Sequence, residues 1–229
     1  MEDWSLPGAP EISVRFRRSS RARRMSLRVS RLDGRVTLTL PRWAPEAQAR
    51  DFLEQKAGWV RGQLAGRPAE IVPRFGGRLP VEGIEREICP AAGRKVVFSG
   101  GRIEVPGPEE AVPGRLAGAL KVLARERLAA ASNEYAARLG RPYNRLTLRD
   151  TRSRWGSCSS AGALMYSWRL ILAPPEVLRY VAAHEVAHLR QMDHSPAFWA
   201  VVAELEPGYA RPRAWLREHG TALHRYRFA

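Results

Sequence analysis

Apolar side chains recur at every second position in three short runs near the start of the chain. Residues 12–17 read Ile-Ser-Val-Arg-Phe-Arg, 25–30 read Met-Ser-Leu-Arg-Val-Ser and 36–40 read Val-Thr-Leu-Thr-Leu. A period of two sends one face into a core and the other into water, which predicts an antiparallel sheet with a wet face. From 45 to about 64 the period lengthens: Ala49, Phe52, Leu53, Lys56, Trp59, Val60 and Gln63 share helical spacing behind Pro45. Four further short runs, 78–81, 85–88, 95–98 and 102–105, with frequent glycine between them, predict a meander of hairpins. The stretch 106–113 then reads as a seam. It divides an N-terminal β-rich lobe with one helix, 1–107, from a second domain, 108–229.

Beyond the seam, Leu116, Leu120, Leu123, Leu128 and Tyr135 mark a long helix over 115–139, closed by Gly140 and Pro142. Residues 144–149 alternate as a strand, with Leu146 and Leu148 facing one way. Residues 151–160 are a polar loop with one tryptophan, and 164–172 are another strand. Pro174-Pro175 opens a helix carrying Val177, Leu178 and Val181. Helices and short strands that do not alternate regularly predict an α+β fold.

Composition bounds this picture without changing it. At 229 residues and 45% hydrophobic content the chain can bury a sizeable core. No stretch approaches the roughly 18 consecutive apolar residues of a membrane span. The start, Met1-Glu2-Asp3-Trp4, is acidic and does not read as a secretory signal. Cys89 and Cys158 form no disulfide pattern, which suits a reducing cytoplasm. The excess of 38 Lys+Arg over 23 Asp+Glu, a net charge of +15, favours nucleic acid, nucleotides or membrane surfaces as partners. Lysine occurs only at Lys56, Lys95 and Lys121, however, and an arginine load of this kind also follows from GC-biased coding. The densest run, Arg15, Arg17, Arg18, Arg21, Arg23, Arg24 and Arg28, reads equally well as the solvated face of a sheet.

The chemistry lies in the last quarter, where all five histidines fall. His184-Glu185-Val186-Ala187-His188 places two imidazoles four positions apart, about 40° of rotation on a helix, so that both reach one metal ion. Glu185, beside the first ligand, is placed to act as base toward a water on that metal. Structural histidines on a solvated helix are the alternative. A continuous helix would carry His194 about 80° away from His184, so the helix must end first. Asp193 favours a turn, and Ser195-Pro196 starts a new helix with a serine N-cap. His194 at that joint is the favoured third ligand; Glu204 and Glu206 are rivals.

These residues resemble the YgjP-like metallopeptidase family, a zincin group related to SprT-type and WLM-type proteases. The likeness is carried by Arg154-Trp155-Gly156-Ser157-Cys158, Trp168-Arg169-Leu170 with Ala173-Pro174, Tyr180-Val181, His184-Glu185 with His188, His194-Ser195 with Phe198-Trp199, and Pro207 with Tyr209. In the first half, Arg23, Ser26, Leu27, Val29, Pro41, Lys56 and Trp59-Val60 fit the same pattern. Ser167 departs from it, standing where asparagine is expected. Gln191 stands where metzincins carry a turn glycine, so that group fits less well.

The resemblance implies one Zn2+ per chain held by His184, His188 and His194, with Glu185 as general base. It also implies a zincin-like catalytic half of long helix, small sheet, HExxH helix and second helix. Three histidines also suit nickel, cobalt or manganese. Leu164 to Tyr166 is the expected edge strand for an extended substrate, and Arg154, Ser157 and Tyr166 are candidate substrate or oxyanion contacts. Cys158 reads as a small buried side chain, and His219 and His224 as surface histidines. The reading is a zinc-dependent metallopeptidase acting on peptide or protein. Its rivals are a metal-dependent hydrolase of nucleotides or phosphate esters and a nucleic-acid-associated SprT-like protease.

Overall fold

The computed structural model of the chain describes residues 3–30, 34–66 and 69–228. It divides into two units, Met1–Ala69 and Glu70–Ala229, each with its own buried apolar cluster. The boundary therefore lies well before the seam expected at 106–113. The reason is packing: Leu79, Val81, Ile88, Ile103 and Val105 belong to the same core as the long helix that follows them.

The first unit holds β1 (Asp3–Leu6), β2 (Ile12–Ser19), β3 (Ser26–Val29), β4 (Val36–Pro41), α1 (Glu46–Gln55) and α2 (Ala57–Ala65). The sheet runs β1-β2-β4-β3. Alternation marks β2, β3 and β4 but not β1, and β2 and β4 pair in parallel, while the two outer pairs are antiparallel. The dipeptide Asp33-Gly34 reads as a turn before β4, and Asp33 lies outside the described residues. Trp4, Leu6, Val14, Leu38 and Leu40 meet Ala49, Leu53 and Val60 in the core. The expected single helix is broken at Lys56, whose φ −95°, ψ 3° leave the helical region. No proline is present, but Gly58 and Gly62 lie just beyond, where glycine weakens a helix.

The second unit begins with β5 (Arg78–Val81), β6 (Ile84–Ala91), β7 (Val97–Ser99) and β8 (Arg102–Pro106), in the order β5-β6-β8-β7. This is not a meander. Two hairpins are joined by the parallel pair β6/β8, the same topology as the first unit. The long helix α3 (Val112–Leu139) carries its expected stripe, with Val112, Leu116, Leu120, Ala124, Leu128 and Tyr135 all buried. Gly140 closes it at φ 67°, a left-handed cap where a side chain would be strained.

A three-stranded sheet follows: β9 (Arg145–Arg149), β10 (Gly156–Cys158) and β11 (Ala163–Ser167), in the order β10-β11-β9. Two expectations change here. The polar loop contains a short strand, β10, and the strand expected over 164–172 ends at Ser167. Trp168–Leu172 instead form a 3₁₀ turn with all five residues buried. An unbroken apolar run does not distinguish strand from helix. Helices α4 (Pro175–Ala187), α5 (Pro196–Leu205) and α6 (Ala210–His219) complete the unit. The tail returns to the core, bridging Tyr226 to Ile71. Buried Arg169 holds it there, donating Nη1 hydrogen bonds to the Leu223 and Tyr226 carbonyls at 3.1 and 2.9 Å while gripping Asp150 with Nε and Nη2. The fold is α+β.

Among the described residues no helix is long and apolar enough to cross a membrane.

Candidate metal and active site

Helix α4 starts on Pro175, which supplies a preset φ and gives up only an N–H that no helical partner would take. It ends at Ala187, leaving His188 as its cap at φ −63°, ψ −19°. The Leu189, Arg190 and Gln191 amides then close tight turns onto Val186 and Ala187. Asp193 accepts the Ser195 N–H at 3.2 Å, and these Ser195 bonds hold its carboxyl below the usual carboxylate range. Ser195 in turn accepts the Phe198 N–H and caps α5. His194 is thereby held at a fixed joint, as its flanking residues predict.

The three imidazoles converge. One nitrogen from each of His184, His188 and His194 lies within 4.8 Å of the others, and the Nε2 atoms of His184 and His194 are 3.2 Å apart. Tetrahedral zinc with Zn–N bonds of 2.0–2.1 Å would set such nitrogens about 3.3 Å apart, so the cluster suits an ion of that size. His188 donates its Nδ1 hydrogen to the Gln191 carbonyl at 2.9 Å, leaving Nε2 as a lone pair. Fully buried Phe198 backs all three rings at centroid distances of 4.5–4.9 Å. Burial, reinforced by the neighbouring imidazoles and Arg213, pushes His184 down to about 3. Burial also lowers His188. Neutral rings with inward lone pairs are the donors a divalent cation needs.

Glu185 is 5% exposed and lies against β10. Burial raises its pKa to about 8, opposed first by the positive charge of Arg154 and then by a hydrogen bond from the Cys158 N–H. A divalent cation at the triad would offset that burial and favour the carboxylate. The carboxylate occupies the space above Gly156, where an added Cβ would meet Oε1 at 2.5 Å and Cδ at 2.8 Å. Gly156 belongs to the Arg154–Cys158 motif, and nothing in its spacing reveals that the glutamate packs on it.

Of the other candidates, exposed Arg154 lies near enough to act on Glu185, and half-buried Ser157 sits on β10. Tyr166 offers no surface to a substrate. It is 0% exposed, with its hydroxyl 3.0 Å from Ser132 Oγ on α3, because alternation along β11 turns it to the face that packs on α3. Central placement also removes β11 as an edge for substrate; the edge strand beside Glu185 is β10. Glu206 is taken by the Tyr135 hydroxyl and Arg179, and Glu204 faces Arg190, so neither joins the histidines. Cys158, half-buried, stays outside the cluster, and burial holds its thiol up at about 11. His219 is exposed as expected, but His224 is half-buried against Trp155 at 5.0 Å.

Sequence reasoning assigned no role to an aromatic wall beside the triad. Trp199 lies 5.7 Å from His184 and stacks on Tyr209 at 5.5 Å, Tyr180 lies 6.0 Å from His184, and Arg213 covers Trp199 at 4.2 Å. Arg213 is far along the chain from the histidines, so only the packing of α6 reveals it.

Comparison with known proteins gives two matches. The family described as YgjP-like, metallopeptidase domain, matches residues 23–219. The crystal structure of the metallopeptidase zymogen of Pyrococcus abyssi abylysin is similar over 45% of this chain and 97% of its own, at 22% identity and a TM-score of 0.35. No curated protein matches the chain.

Proposed function

This chain belongs to the YgjP-like metallopeptidase domain family, and from that premise we propose that it is a zinc-dependent zincin-type peptidase. His184, His188 and His194 hold the metal, and Glu185 is the general base. The observation that carries this reading is the convergence of three imidazole nitrogens within 4.8 Å, with a buried carboxylate on the residue adjoining His184. Zinc at the triad would supply a Lewis acid that activates water and polarises the scissile carbonyl.

Glu185 accepts the proton of the attacking water and returns it to the departing amine, so one carboxyl group serves as base and then acid. The Cys158 N–H and the surface over Gly156 hold that carboxylate in one orientation. Arg154 opposes the burial that would keep it protonated.

Substrate pairs with the outer edge of β10. The Ser167 and Ser159 amides bond across β10/β11 to Trp155 and Ala163, which fixes the alternation: the backbone groups of Ser157 face β11, and those of Gly156 and Cys158 face outward. The Cys158 N–H is engaged by Glu185. The Gly156 N–H and C=O and the Cys158 C=O remain to receive an extended backbone. Phe198, Trp199 and Tyr209 keep water from the back of the triad.

The test is casein hydrolysis by wild type and Glu185→Gln, with elemental analysis of both. The expected result is full metal content and no turnover in the variant, with wild-type activity lost to chelator and restored by zinc. Wild-type rates in Glu185→Gln would overturn the role of the carboxylate. Turnover of nucleoside triphosphates without any of casein would overturn the peptidase reading.

A further inference from the structure

The first unit contains a second place where backbone hydrogen-bonding groups, apolar surface and positive charge coincide. Strand β3 ends its sheet and, among the described residues, pairs only with β4. Its register with β4 shows which of its groups are unused. Ser30 donates to Arg35 at 2.9 Å, so Arg28 and Ser26, two and four residues back, also direct their backbone groups at β4. The N–H and C=O of Leu27 and Val29 therefore point to the open edge. Leu27 and Val29 direct their side chains toward the core, and Ser26 and Arg28 are exposed.

Beside that edge runs a groove of about 360 Å³. Met25 and Leu27 line it from the strand side, Phe52 and Trp59 from the helices, with Arg24 and Lys56 as its charges. The break at Lys56 acquires a consequence here, since Phe52, Lys56 and Trp59 flank it and all face the groove. Trp59 is 46% exposed, a large apolar surface left in water. No acidic residue lines the groove, and none occurs in the chain between Glu11 and Asp33.

We propose that β3 and the α1/α2 groove form a peptide-binding site that takes an extended, acidic segment of a partner protein as an added strand. The segment's backbone pairs with Leu27 and Val29. Its groove-facing side chains, every second residue, place an aromatic or aliphatic group against Phe52 and Trp59 and carboxylates near Arg24 and Lys56. The edge favours a polypeptide over other polyanions, because only a polypeptide offers alternating donors and acceptors at strand spacing. The site shares no residue with the histidine cluster, so it stands or falls separately from the peptidase reading.

The test uses the full chain carrying Glu185→Gln, so that the probe is not consumed, and the fluorescein-labelled heptapeptide Thr-Glu-Thr-Phe-Thr-Glu-Thr, read by fluorescence anisotropy. Two N-methylated versions are compared, one modified at Glu and Phe, the other at the internal Thr residues. Strand pairing uses the amides of only one set, so one version should bind at least 10-fold more weakly and the other within about 3-fold of the parent. Leu27→Pro removes an outward N–H while sparing the ladder to β4. Arg24→Glu with Lys56→Glu reverses the groove's charge. Each should weaken binding at least 10-fold, the charge reversal with unchanged thermal melting and Leu27→Pro with a melting point lowered only by its lost core packing, and a peptide with Lys in place of Glu should not bind. Equal binding of both methylated peptides, or displacement of the peptide by an equally charged oligonucleotide that binds Leu27→Pro as tightly as wild type, would show a plain basic patch and overturn the proposal. A concentration-dependent dimer lost in Leu27→Pro would overturn it in favour of a second copy of the chain at that edge.

Discussion

Gly156 and Glu185 are in contact in a way that no other residue at position 156 would allow: the glutamate's carboxylate rests where the first side-chain carbon would be, 2.5 Å from Oε1. The conformation of Glu185, the proposed general base, is thus set by a hydrogen atom on a neighbouring strand. Gly156→Ala should displace the carboxylate and lower kcat/KM by about 100-fold, the scale of a 1 Å misplacement at a reacting centre. Metal content should remain that of the wild type. Steady-state kinetics with elemental analysis checks both, and an alanine variant with wild-type kcat/KM would refute the packing argument.

His194 and the two glutamates of α5 and its end should separate cleanly. His194→Ala should weaken zinc binding by more than the roughly 10–100-fold typical of outer partners, whereas Glu204→Gln and Glu206→Gln should leave it unchanged, because Arg190, Tyr135 and Arg179 engage those carboxylates. Competition with a chromogenic chelator measures this directly. Zinc loss in Glu206→Gln with retention in His194→Ala would reverse the assignment.

Tyr166→Phe should keep kcat/KM within about 2-fold of wild type. It removes one buried hydroxyl contact to Ser132 and should cost roughly 0.5–1.5 kcal/mol of stability. Denaturant melts and kinetics on the same preparation test this, and a 100-fold loss of activity would return Tyr166 to the site.

Arg169 is the tie of the C-terminal tail. Arg169→Met leaves the Leu223 and Tyr226 carbonyls without their donor and Asp150 without its partner. Asp150 is half exposed and loses little, but leaving two buried carbonyls unsatisfied costs about 1–3 kcal/mol each, which for a chain of this size lowers Tm by roughly 4–24 °C. Limited proteolysis should then remove the tail first. A melting curve within 2 °C of wild type, to the nearest degree or so expected of such scans, would refute the tie.

Acid should act through His224. Burial, then Arg169 and Arg152 against the favourable charge of Asp150, depresses it to about 4. The unfolded chain titrates near the ordinary histidine value of 6.5, so it binds more protons than the folded one between these values. This contribution is therefore complete above about pH 6.5 and is lost as pH falls toward 4, by about 1–2 kcal/mol after solvent screening. His184 and His188 shift in the same direction, so the informative quantity is the difference between metal-free wild type and His224→Phe. That difference should grow as pH falls from 6.5 to 4, and a flat difference would remove His224 from the account.

Short-range chemistry was legible in the sequence. The turn at Asp193, the cap at Ser195, the stop at Gly140 and the stripe of α3 each depend on a handful of adjacent residues, and the sequence showed all of them. The spacing of His184, His188 and Glu185 is likewise fixed by helical geometry alone. Tertiary structure decided the rest. Alternating residues look the same whether a strand's neighbour runs parallel or antiparallel, so β2/β4 and β6/β8 could not be read in advance. The first four strands of the second unit belong with α3 because their apolar faces share one core, which no local composition shift records. Tyr166 went inward, β10 took the edge beside Glu185, and Gly156 met the carboxylate because those contacts join segments far apart in the chain, where burial summed over many residues outweighs local preference.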